Sequence, residues 1–240
     1  MSPGIHPLHA KRVSSFLAKR GWIVQRSIDG KPNPIHIWET DDDFTEKMSG
    51  VPARTLVHDP ACYVLYRAAL GTFSLIGAAA EVGVYRGGTA LLLSRVFAGI
   101  TTVHLFDTFD GMPQADPEKD LHEAGDFRDT TERAVRQLLE GSQNAVVHAG
   151  LFPATAEDLG DTAFRFVHVD VDLYRSVLDC AEYFYPRLVT GGVMVFDDYG
   201  WSSTAGAREA VDEFFRDRPE VPIYLPTGQA LVTRLTDVSP

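Results

Sequence analysis

The stretch FRFVHVDVDLYRS, residues 164–176, joins a short apolar run to two closely spaced aspartates and the start of a helical pattern. An apolar run of this length, bounded by polar residues, is typical of a buried strand, which we expect to end at Asp170. Four further segments are also predicted to be strands: residues 76–82, 101–106, 144–149 and 192–196. Helical patterns lie between these segments, and one of them is expected to run from residue 175 to residue 188.

Strand and helix patterns alternate five times between residues 76 and 216, which predicts an α/β protein with a mostly parallel, doubly wound sheet. Residues 223–225 and 230–235 flank a turn at 226–229, so we expect the last strand to run antiparallel. Ligands of such sheets bind beyond the carboxyl ends of the strands. Acidic residues stand at these ends: Glu81, Asp107, Asp170, Asp197 and Asp198.

The composition excludes several classes of function. The 240 residues carry a net charge of −11, and the pI near 5.1 argues against a nucleic-acid partner. No apolar run approaches the length of a membrane span, and no apolar core follows the N-terminal basic residues, so neither a membrane protein nor a secretory signal is predicted. Cys62 and Cys180 cannot form a disulfide framework, and we expect them to be buried thiols of a cytoplasmic protein.

The segment EVGVYRGG, residues 81–88, joins the first core strand to its helix. Gly83 and Gly87 would let the backbone approach a ligand closely, and Asp107 at the next strand end suits the hydroxyls of a ribose. Glu81 suits the ammonium and sulfonium of a cofactor such as S-adenosylmethionine (SAM). The missing G-x-G-x-x-G motif counts against an NAD-dependent oxidoreductase. A tight turn in which Asp107 only caps a loop is the alternative.

Four aspartates follow two strands of the chain and would lie together if these strands are neighbours in the sheet: Asp170, Asp172, Asp197 and Asp198. Neighbouring strands lie about 4.8 Å apart, so the carboxylates would converge and repel one another unless a cation joined them. Oxygen ligands suit Mg²⁺ or Ca²⁺. As alternatives, Asp172 could cap the following helix, and Asp197 or Asp198 could cap a turn.

Two histidines and two segments complete the set of candidates. We expect His168 to be a hydrogen-bonded core residue, and His148 is a weaker candidate for the site. Residues 110–129 form a long acidic segment, which is either a lid on the site or a plain surface loop. Residues 1–54, with a short amphipathic helix at 9–20, are expected to be an N-terminal extension that covers substrate or contacts a partner subunit; residues 55–240 would form the main domain.

Four ordered motifs carry a resemblance to a known family: residues 81–88, FDTFDGMP at 106–113, DVDLYRS at 170–176 and FDDYG at 196–200. Together they resemble the macrocin O-methyltransferase family, which includes methyltransferases of macrolide and aminocoumarin antibiotic sugars. The resemblance covers residues 55–235. It implies a class I SAM-dependent methyltransferase fold, with a Rossmann-like seven-stranded sheet in which the fourth strand lies between the first and the fifth.

The resemblance also implies roles for the aspartates. It places a metal ion on Asp170, Asp197 and Asp198 and makes Asp172 the general base. Val171 stands where relatives often have Gly, which would narrow the pocket.

For the cofactor, we expect Asp107 on the ribose, Glu81 and Gly83 near the methionine part, and Phe152 on the adenine. Gly87 and Gly150 are also expected to bind the cofactor.

The implied activity is a Mg²⁺-dependent transfer of a methyl group from SAM to a sugar hydroxyl of a glycosylated natural product, with the cation chelating vicinal hydroxyls. A catechol-type O-methyltransferase acting on a phenolic diol is the nearest alternative. An oxidoreductase and a non-catalytic binding module are the others. The expected partners are a small glycoside or polyol acceptor and further copies of the chain in a dimer or larger homo-oligomer, with neither nucleic acid nor membrane.

Overall fold

The computed structural model describes residues 37–235 of the chain. Contacts divide the chain into two units, residues 1–40 and residues 41–240. In the first unit, Ile37–Thr40 form a 3-10 turn in which the Thr40 hydroxyl donates to the carbonyl of Ile37. The helix predicted at residues 9–20 lies outside the described residues. Between residues 37 and 235, no helix is long and apolar enough to cross a membrane.

The second unit alternates strands and helices as the sequence predicts. Its helices are α1 (Asp42–Lys47), α2 (Asp59–Gly71), α3 (Gly88–Val96), α4 (Glu132–Leu138), α5 (Tyr174–Phe184) and α6 (Ala205–Phe215). Its strands are β1 (Ala78–Val82), β2 (Val103–Asp107), β3 (Ala145–Ala149), β4 (Phe164–Val169), β5 (Leu188–Phe196), β6 (Ile223–Tyr224) and β7 (Ala230–Thr233).

The seven strands form one sheet in the order β3-β2-β1-β4-β5-β7-β6. Strands β1 to β5 pair in parallel, and β7 pairs antiparallel with β5. The predicted α/β class, the seven strands and the antiparallel last strand are therefore confirmed. Because β4 lies between β1 and β5, the loops that follow these three strands emerge side by side.

The core lies on both faces of the sheet, and β1 and β4 are buried along their whole length. Alternate residues of β1, beginning with Ala78, pack in one apolar cluster with α5 and α6. Helix α2 contacts β4 and β5, and it packs against α3. Phe164, Phe166 and Phe184 have no exposed surface, and complete burial of such a side chain contributes roughly 1.5–3 kcal/mol. This packing fixes the strand ends that carry the site.

Two element boundaries differ from the sequence prediction. The helix expected to reach residue 188 ends at Phe184, because Pro186 has no N–H to continue the ladder and lies in the 3-10 turn Tyr185–Arg187. Strand β5 then begins at Leu188 rather than at 192. The 3-10 turn Ala154–Leu159 was not predicted.

Residues 41–54 pack within the second unit. Phe44 of α1 is buried, and the Tyr66 hydroxyl on α2 donates to Asp43 Oδ2 over 2.7 Å. Arg95 of α3 donates to the carbonyls of Lys47 and Ser49. The role predicted for residues 1–54 stays a prediction, since most of that segment lies outside the described residues.

Candidate active site

A cavity of about 450 Å³ opens at the carboxyl ends of β1, β2, β4 and β5. Parallel sheets place their ligand crevice at this edge, where successive loops diverge. Eight of the predicted site residues line it: Gly83, Asp107, Gly150, Phe152, Asp170, Asp172, Asp197 and Asp198. Glu81 and Gly87 are not among the lining residues.

Three aspartates converge on one wall of the cavity. Asp170, Asp197 and Asp198 each offer a carboxylate oxygen, and these oxygens lie within 4.8 Å of one another. The sheet sets their positions, because the Asp170 amide donates to Val82 and the Asp197 amide donates to Val169, each over 2.9 Å. The predicted juxtaposition of the two strand ends is therefore present in the structure.

The electrostatics of this cluster are unfavourable without a cation. Burial, and then the neighbouring Asp197 carboxylate, raises the pKa of Asp170 well above its ordinary value. Burial and the carboxylates of Asp172 and Asp170 raise the pKa of Asp198 in the same way. A compact set of carboxylate oxygens is the ligand chemistry of hard divalent cations. The residues present therefore fit such an ion.

Behind the cluster lies a buried row of polar side chains. His168 Nδ1 is 2.8 Å from Glu81 Oε1, and its Nε2 is 3.5 Å from Asp197 Oδ1. Gln229 donates to the same Asp197 oxygen over 2.8 Å. Burial opposes protonation of His168, but the nearby Asp197 carboxylate and the hydrogen bond to Glu81 outweigh it and raise the pKa of the ring well above its ordinary value.

This row corrects the prediction for Glu81. Its side chain has no exposed surface, because β1 pairs with β4 in a register that sets Glu81 opposite His168. The carboxylate therefore supports the histidine behind Asp197 instead of facing a cofactor. His168 is a hydrogen-bonded core residue, as expected.

Asp107 both lines the cavity and organises the neighbouring loop. Its Oδ2 accepts hydrogen bonds from the amides of Val84 and Tyr85 over 2.7 and 2.8 Å. Its Oδ1 accepts from the amide of Phe109 over 2.7 Å. The loop-capping alternative is thus present in the structure, and a role on a ribose remains compatible with it.

The two glycines of the β1–α3 loop adopt positive φ angles and allow close contact with neighbouring elements. Gly83 has φ +89°, and a Cβ there would lie 1.7 Å from the carbonyl oxygen of Asp170, so glycine lets the β1 and β4 loops touch. Gly87 precedes α3 with φ +84°, and its Cβ would meet Leu138 on α4 at 2.9 Å. Gly87 thus allows close packing against α4, and its predicted contact with the cofactor stays a prediction.

An aromatic slot lies on the β2–β3 side of the cavity. Phe152 is 8% exposed, stacks on Phe184 at 5.1 Å and meets Phe106 edge-on at 5.2 Å. The Gly150 amide donates to the Asp107 carbonyl over 2.9 Å, which brings this loop to the cavity. The adenine position proposed for these residues stays a prediction. His148 is not among the lining residues.

Asp172 is not the cap of the following helix. The cap position belongs to Leu173, whose apolar side chain accepts no hydrogen bond, and the amide of Tyr174 donates instead to Asp120 Oδ1 over 2.9 Å. Asp172 instead has φ +55°, and its amide donates to Asp198 Oδ2 over 3.0 Å. A non-glycine residue in this region costs on the order of 1–3 kcal/mol, and such strain is concentrated at functional sites. The backbone thus directs its carboxylate into the cavity.

Several lining residues were missed by sequence reasoning. Leu56, His58 and Trp201 belong to the wall, and so does His122 from the acidic segment 110–129. Trp201 lies three positions after Asp198 and could have been found from that motif. The other residues lie in loops, where no periodicity indicates which side chains point inward.

The fold and the position of this cavity define an α/β protein of the class I methyltransferase fold. Two solved structures share it: the O-methyltransferase NovP (TM-score 0.68, 22% identity, 76% of this chain and 83% of that chain) and the calicheamicin methyltransferase CalS11 (TM-score 0.62, 17% identity, 96% and 94%). At these identities the likeness shows the fold alone.

The sequence profile of the macrocin-O-methyltransferase (TylF) family matches residues 71–225, and the chain belongs to this family. The 8-demethyl-8-(2,3-dimethoxy-alpha-L-rhamnosyl)-tetracenomycin-C 4'-O-methyltransferase of Streptomyces olivaceus is 31% identical over 149 residues. The demethyldecarbamoylnovobiocin O-methyltransferase of Streptomyces niveus is 27% identical over 149 residues. The matched stretch covers 56% of this chain and 56% of each of these two curated relatives.

Proposed function

We propose that this protein is a SAM-dependent O-methyltransferase whose acceptor is a sugar hydroxyl of a glycosylated natural product. The observation that carries the proposal is that one cavity is lined by three clustered carboxylates, by the carboxylate of Asp172 and by Asp107 at the end of β2. Membership of a family of O-methyltransferases supports the same reaction.

On the cofactor side, we assign Asp107 to the ribose and Phe152 to the adenine. A carboxylate has about four acceptor positions, and three backbone amides already occupy Asp107, so one remains for a hydroxyl donor. Phe152 offers an apolar edge that is rigid because Phe106 and Phe184 hold the ring. These residues would bind SAM, which supplies the methyl group.

On the acceptor side, Asp170, Asp197 and Asp198 would hold a divalent cation, for which Mg²⁺ is our proposal. When bound, such a cation lowers the pKa of hydroxyls that coordinate it and orients them. Asp172 is the proposed general base, since its carboxylate lines the same cavity and its backbone is held by Asp198. The lining limits access of water to this wall, where Asp197 and Asp198 are each less than one tenth exposed.

The rim of the cavity favours an acceptor with an apolar body. Leu56, Leu151 and Trp201 line it and remain 69%, 55% and 45% exposed. Apolar side chains beside a polar cation site suit a molecule whose hydroxyl-bearing part joins a hydrophobic scaffold. Relatives named for mycinamicin III and for a rhamnosyl tetracenomycin support a glycoside of this kind.

The test is a turnover assay by mass spectrometry with SAM, Mg²⁺ and a panel of acceptors. The panel contains a rhamnosyl tetracenomycin, mycinamicin III, TDP-rhamnose and a simple catechol. We expect a mass gain of one methyl on a glycoside and its loss in EDTA. Turnover of the catechol alone would favour the phenolic alternative, and absence of binding by S-adenosylhomocysteine in a thermal-shift titration would refute the cofactor assignment.

Variants test the metal assignment. Asp197→Asn should abolish the Mg²⁺-dependent turnover, because it removes one of the three carboxylates, whereas Asp172→Asn should bind Mg²⁺ but not turn over. The exposed Asp217→Asn is the matched control and should behave as the parent protein. Full metal-dependent activity in Asp197→Asn would refute the site.

We also propose that residues 1–54 contact the acceptor or a second copy of the chain. Light scattering on the full chain tests the homo-oligomer, and a species with the mass of one chain at all concentrations would refute that part.

A further inference from the structure

A second groove, of about 420 Å³, lies beside the cavity of the candidate active site. Three arginines from three separate segments line it: Arg54, Arg86 and Arg128. Of the described residues that line it, only Asp129 is acidic, so the lining side chains carry two net positive charges. This groove, here called the basic groove, belongs to a chain whose net charge is −11. Its charge is therefore opposite to that of the protein as a whole.

The basic groove adjoins the cavity. Each arginine is the chain neighbour of a residue that lines the cavity, in the pairs Arg54–Thr55, Tyr85–Arg86 and Phe127–Arg128. The rings of Tyr85 and Phe127 meet edge-on, with their centroids 5.8 Å apart. A ligand group in the basic groove would therefore lie close to a ligand in the cavity.

Two of the arginines follow residues with a strained backbone. Tyr85 has φ 51° and Phe127 has φ 60°. A non-glycine residue in this left-handed region costs on the order of 1–3 kcal/mol, and such residues are concentrated at functional sites. The local turn lets consecutive side chains face different spaces, so that Tyr85 lines the cavity while Arg86 lines the basic groove.

Contacts of the main chain fix the segments that carry the arginines. The carbonyl of Arg54 accepts a hydrogen bond from the amide of Gly88 over 3.1 Å. A Cβ at Gly88 would lie 2.6 Å from the Cβ of Thr55, so glycine permits this close approach. The Thr130 hydroxyl donates to the carbonyl of Tyr85 over 2.6 Å and joins the segment before α4 to the segment before α3. Groups held in this way lose less conformational freedom when they bind a ligand.

Two of the three guanidinium groups are not neutralised by the protein. Arg86 pairs with Asp129. Within the described part of the chain, the side chains of Arg54 and Arg128 form no ion pair or hydrogen bond. Arginine presents its donors in a planar fork that matches the oxygens of a phosphoryl group. Such a group carries a charge of about −1.5 to −2 at neutral pH, which matches the net charge of the groove, whereas one carboxylate would neutralise only half of it.

We propose that the basic groove binds a phosphoryl group through the guanidinium groups of Arg54, Arg86 and Arg128. Arg54 and Arg128 supply the unmatched positive charge, and Arg86 is oriented by Asp129. The phosphoryl group belongs either to a phosphorylated acceptor whose sugar occupies the adjoining cavity or to free inorganic phosphate. The first source rests on the proposed function, and the second does not. No covalent bond forms or breaks in the groove.

The first test is titration calorimetry of the full chain with inorganic phosphate and, separately, with acetate, at constant ionic strength. EDTA is present, so that no divalent cation can join phosphate to the aspartate cluster. Phosphate should bind with a dissociation constant of about 10 mM or below, the affinity that two charge-assisted hydrogen bonds provide. Acetate should bind at least about tenfold more weakly, because it carries a single charge. A weaker affinity for phosphate, or equal affinities for the two anions, would overturn the proposal.

Variants locate the anion on the groove. Arg54→Gln and Arg128→Gln should each weaken phosphate binding about tenfold, the scale of one charge-assisted hydrogen bond, and the double variant should show no measurable binding. Arg133→Gln is the matched control, because Arg133 is an exposed arginine of α4 that does not line the groove, and it should bind phosphate as the parent does. All of these side chains are exposed, so every variant should melt within about 2 °C of the parent. An unchanged phosphate affinity in the double variant, or an equal loss in Arg133→Gln, would refute the site.

A second titration distinguishes the two sources of the phosphoryl group. TDP-rhamnose is added to the parent protein and to the Arg54→Gln/Arg128→Gln double variant, with S-adenosylhomocysteine and EDTA present. If the groove holds the phosphoryl group of an acceptor, the double variant should bind TDP-rhamnose at least about tenfold more weakly, and inorganic phosphate should compete with TDP-rhamnose in the parent. If the groove holds free phosphate, the double variant should lose phosphate binding and keep its affinity for TDP-rhamnose.

Retention of both affinities by the double variant would overturn the inference. Failure of S-adenosylhomocysteine to bind would instead refute the proposed function, and it would leave the result with inorganic phosphate unaffected.

Discussion

Gly83→Ala, compared with a control variant, should show how much stability depends on the close contact between the loops that follow β1 and β4 and how much depends on backbone strain alone. The new Cβ would lie 1.7 Å from the carbonyl oxygen of Asp170, whereas real Cβ contacts are not shorter than 3.0 Å, so the loops must part by about 1.3 Å. Gly99→Ala is the matched control, because Gly99 also has a positive φ of +71° but has nothing within 4 Å of the position that a methyl group would take. The difference between the two variants isolates the contact with Asp170.

The magnitudes follow from these two situations. A left-handed alanine costs on the order of 1–2 kcal/mol, which is the full expected loss for Gly99→Ala. Overpacking adds about 1–3 kcal/mol, so Gly83→Ala should lose about 2–5 kcal/mol of unfolding free energy. At about 2–4 °C per kcal/mol for a chain of this size, Gly83→Ala should melt several degrees below Gly99→Ala.

The assay is thermal unfolding followed by circular dichroism, with Mg²⁺ affinity measured by calorimetry. Because the displaced loop carries Asp170, Gly83→Ala should also bind Mg²⁺ at least about tenfold more weakly, and Gly99→Ala should bind it as the parent does. Equal melting temperatures for the two variants, with equal Mg²⁺ affinities, would refute the reasoning.

Three further predictions concern pH, acceptor binding and stability. Burial and neighbouring carboxylates raise the pKa of Asp170 and Asp198, so in the absence of metal the unfolding free energy should rise as the pH falls from neutral through these raised pKa values. Protons also compete with the cation for these carboxylates. The increase in melting temperature caused by Mg²⁺ should therefore shrink between about pH 8 and pH 5. Trp201→Ala should raise the KM for a glycoside about tenfold in steady-state assays and leave the thermal shift by S-adenosylhomocysteine unchanged, because the half-exposed indole lines the rim. Tyr185→Phe should lower the unfolding free energy in urea by about 1.5–3 kcal/mol without changing cofactor binding, because it removes a 2.7 Å hydrogen bond to the buried Glu220.

The strands that carry the site were predictable because each is a short apolar run that ends at an acidic residue, whereas their order was implied by the family resemblance. The run that ends at Asp170 and the run that ends at Asp197 become β4 and the end of β5. The first part of β5, residues 188–191, was missed because two of its four residues are Thr and Gly, which do not continue the apolar run. There the pairing with β4 at Leu188 overrides local propensity.

Site residues at the ends of strands could be predicted from the sequence. Residues whose position depends on the pairing register of the strands, or on the path of a loop, could not. Glu81 looked available to a ligand because a glycine follows two residues later, but the pairing with His168 buries it inside the sheet. That pairing is a tertiary property which the spacing alone does not contain. His122 lies in the segment 110–129, which has no periodicity, and the fold of this segment brings its Nε2 to within 3.8 Å of Asp172 Oδ1.

The three clustered aspartates place opposing demands on stability and function. Each buried carboxylate near another one disfavours the charged form, so the cluster lowers the unfolding free energy at neutral pH. The surrounding groups fix the geometry without cancelling the charge, since Gln229 is neutral and His168 is shared between Asp197 and Glu81. A ligand that relieves this repulsion must carry positive charge and must bind the folded form far better than the unfolded chain. If the cluster binds a divalent ion as proposed, cation binding and folding would be linked, and the same repulsion that destabilises the metal-free protein would strengthen its binding of the ion.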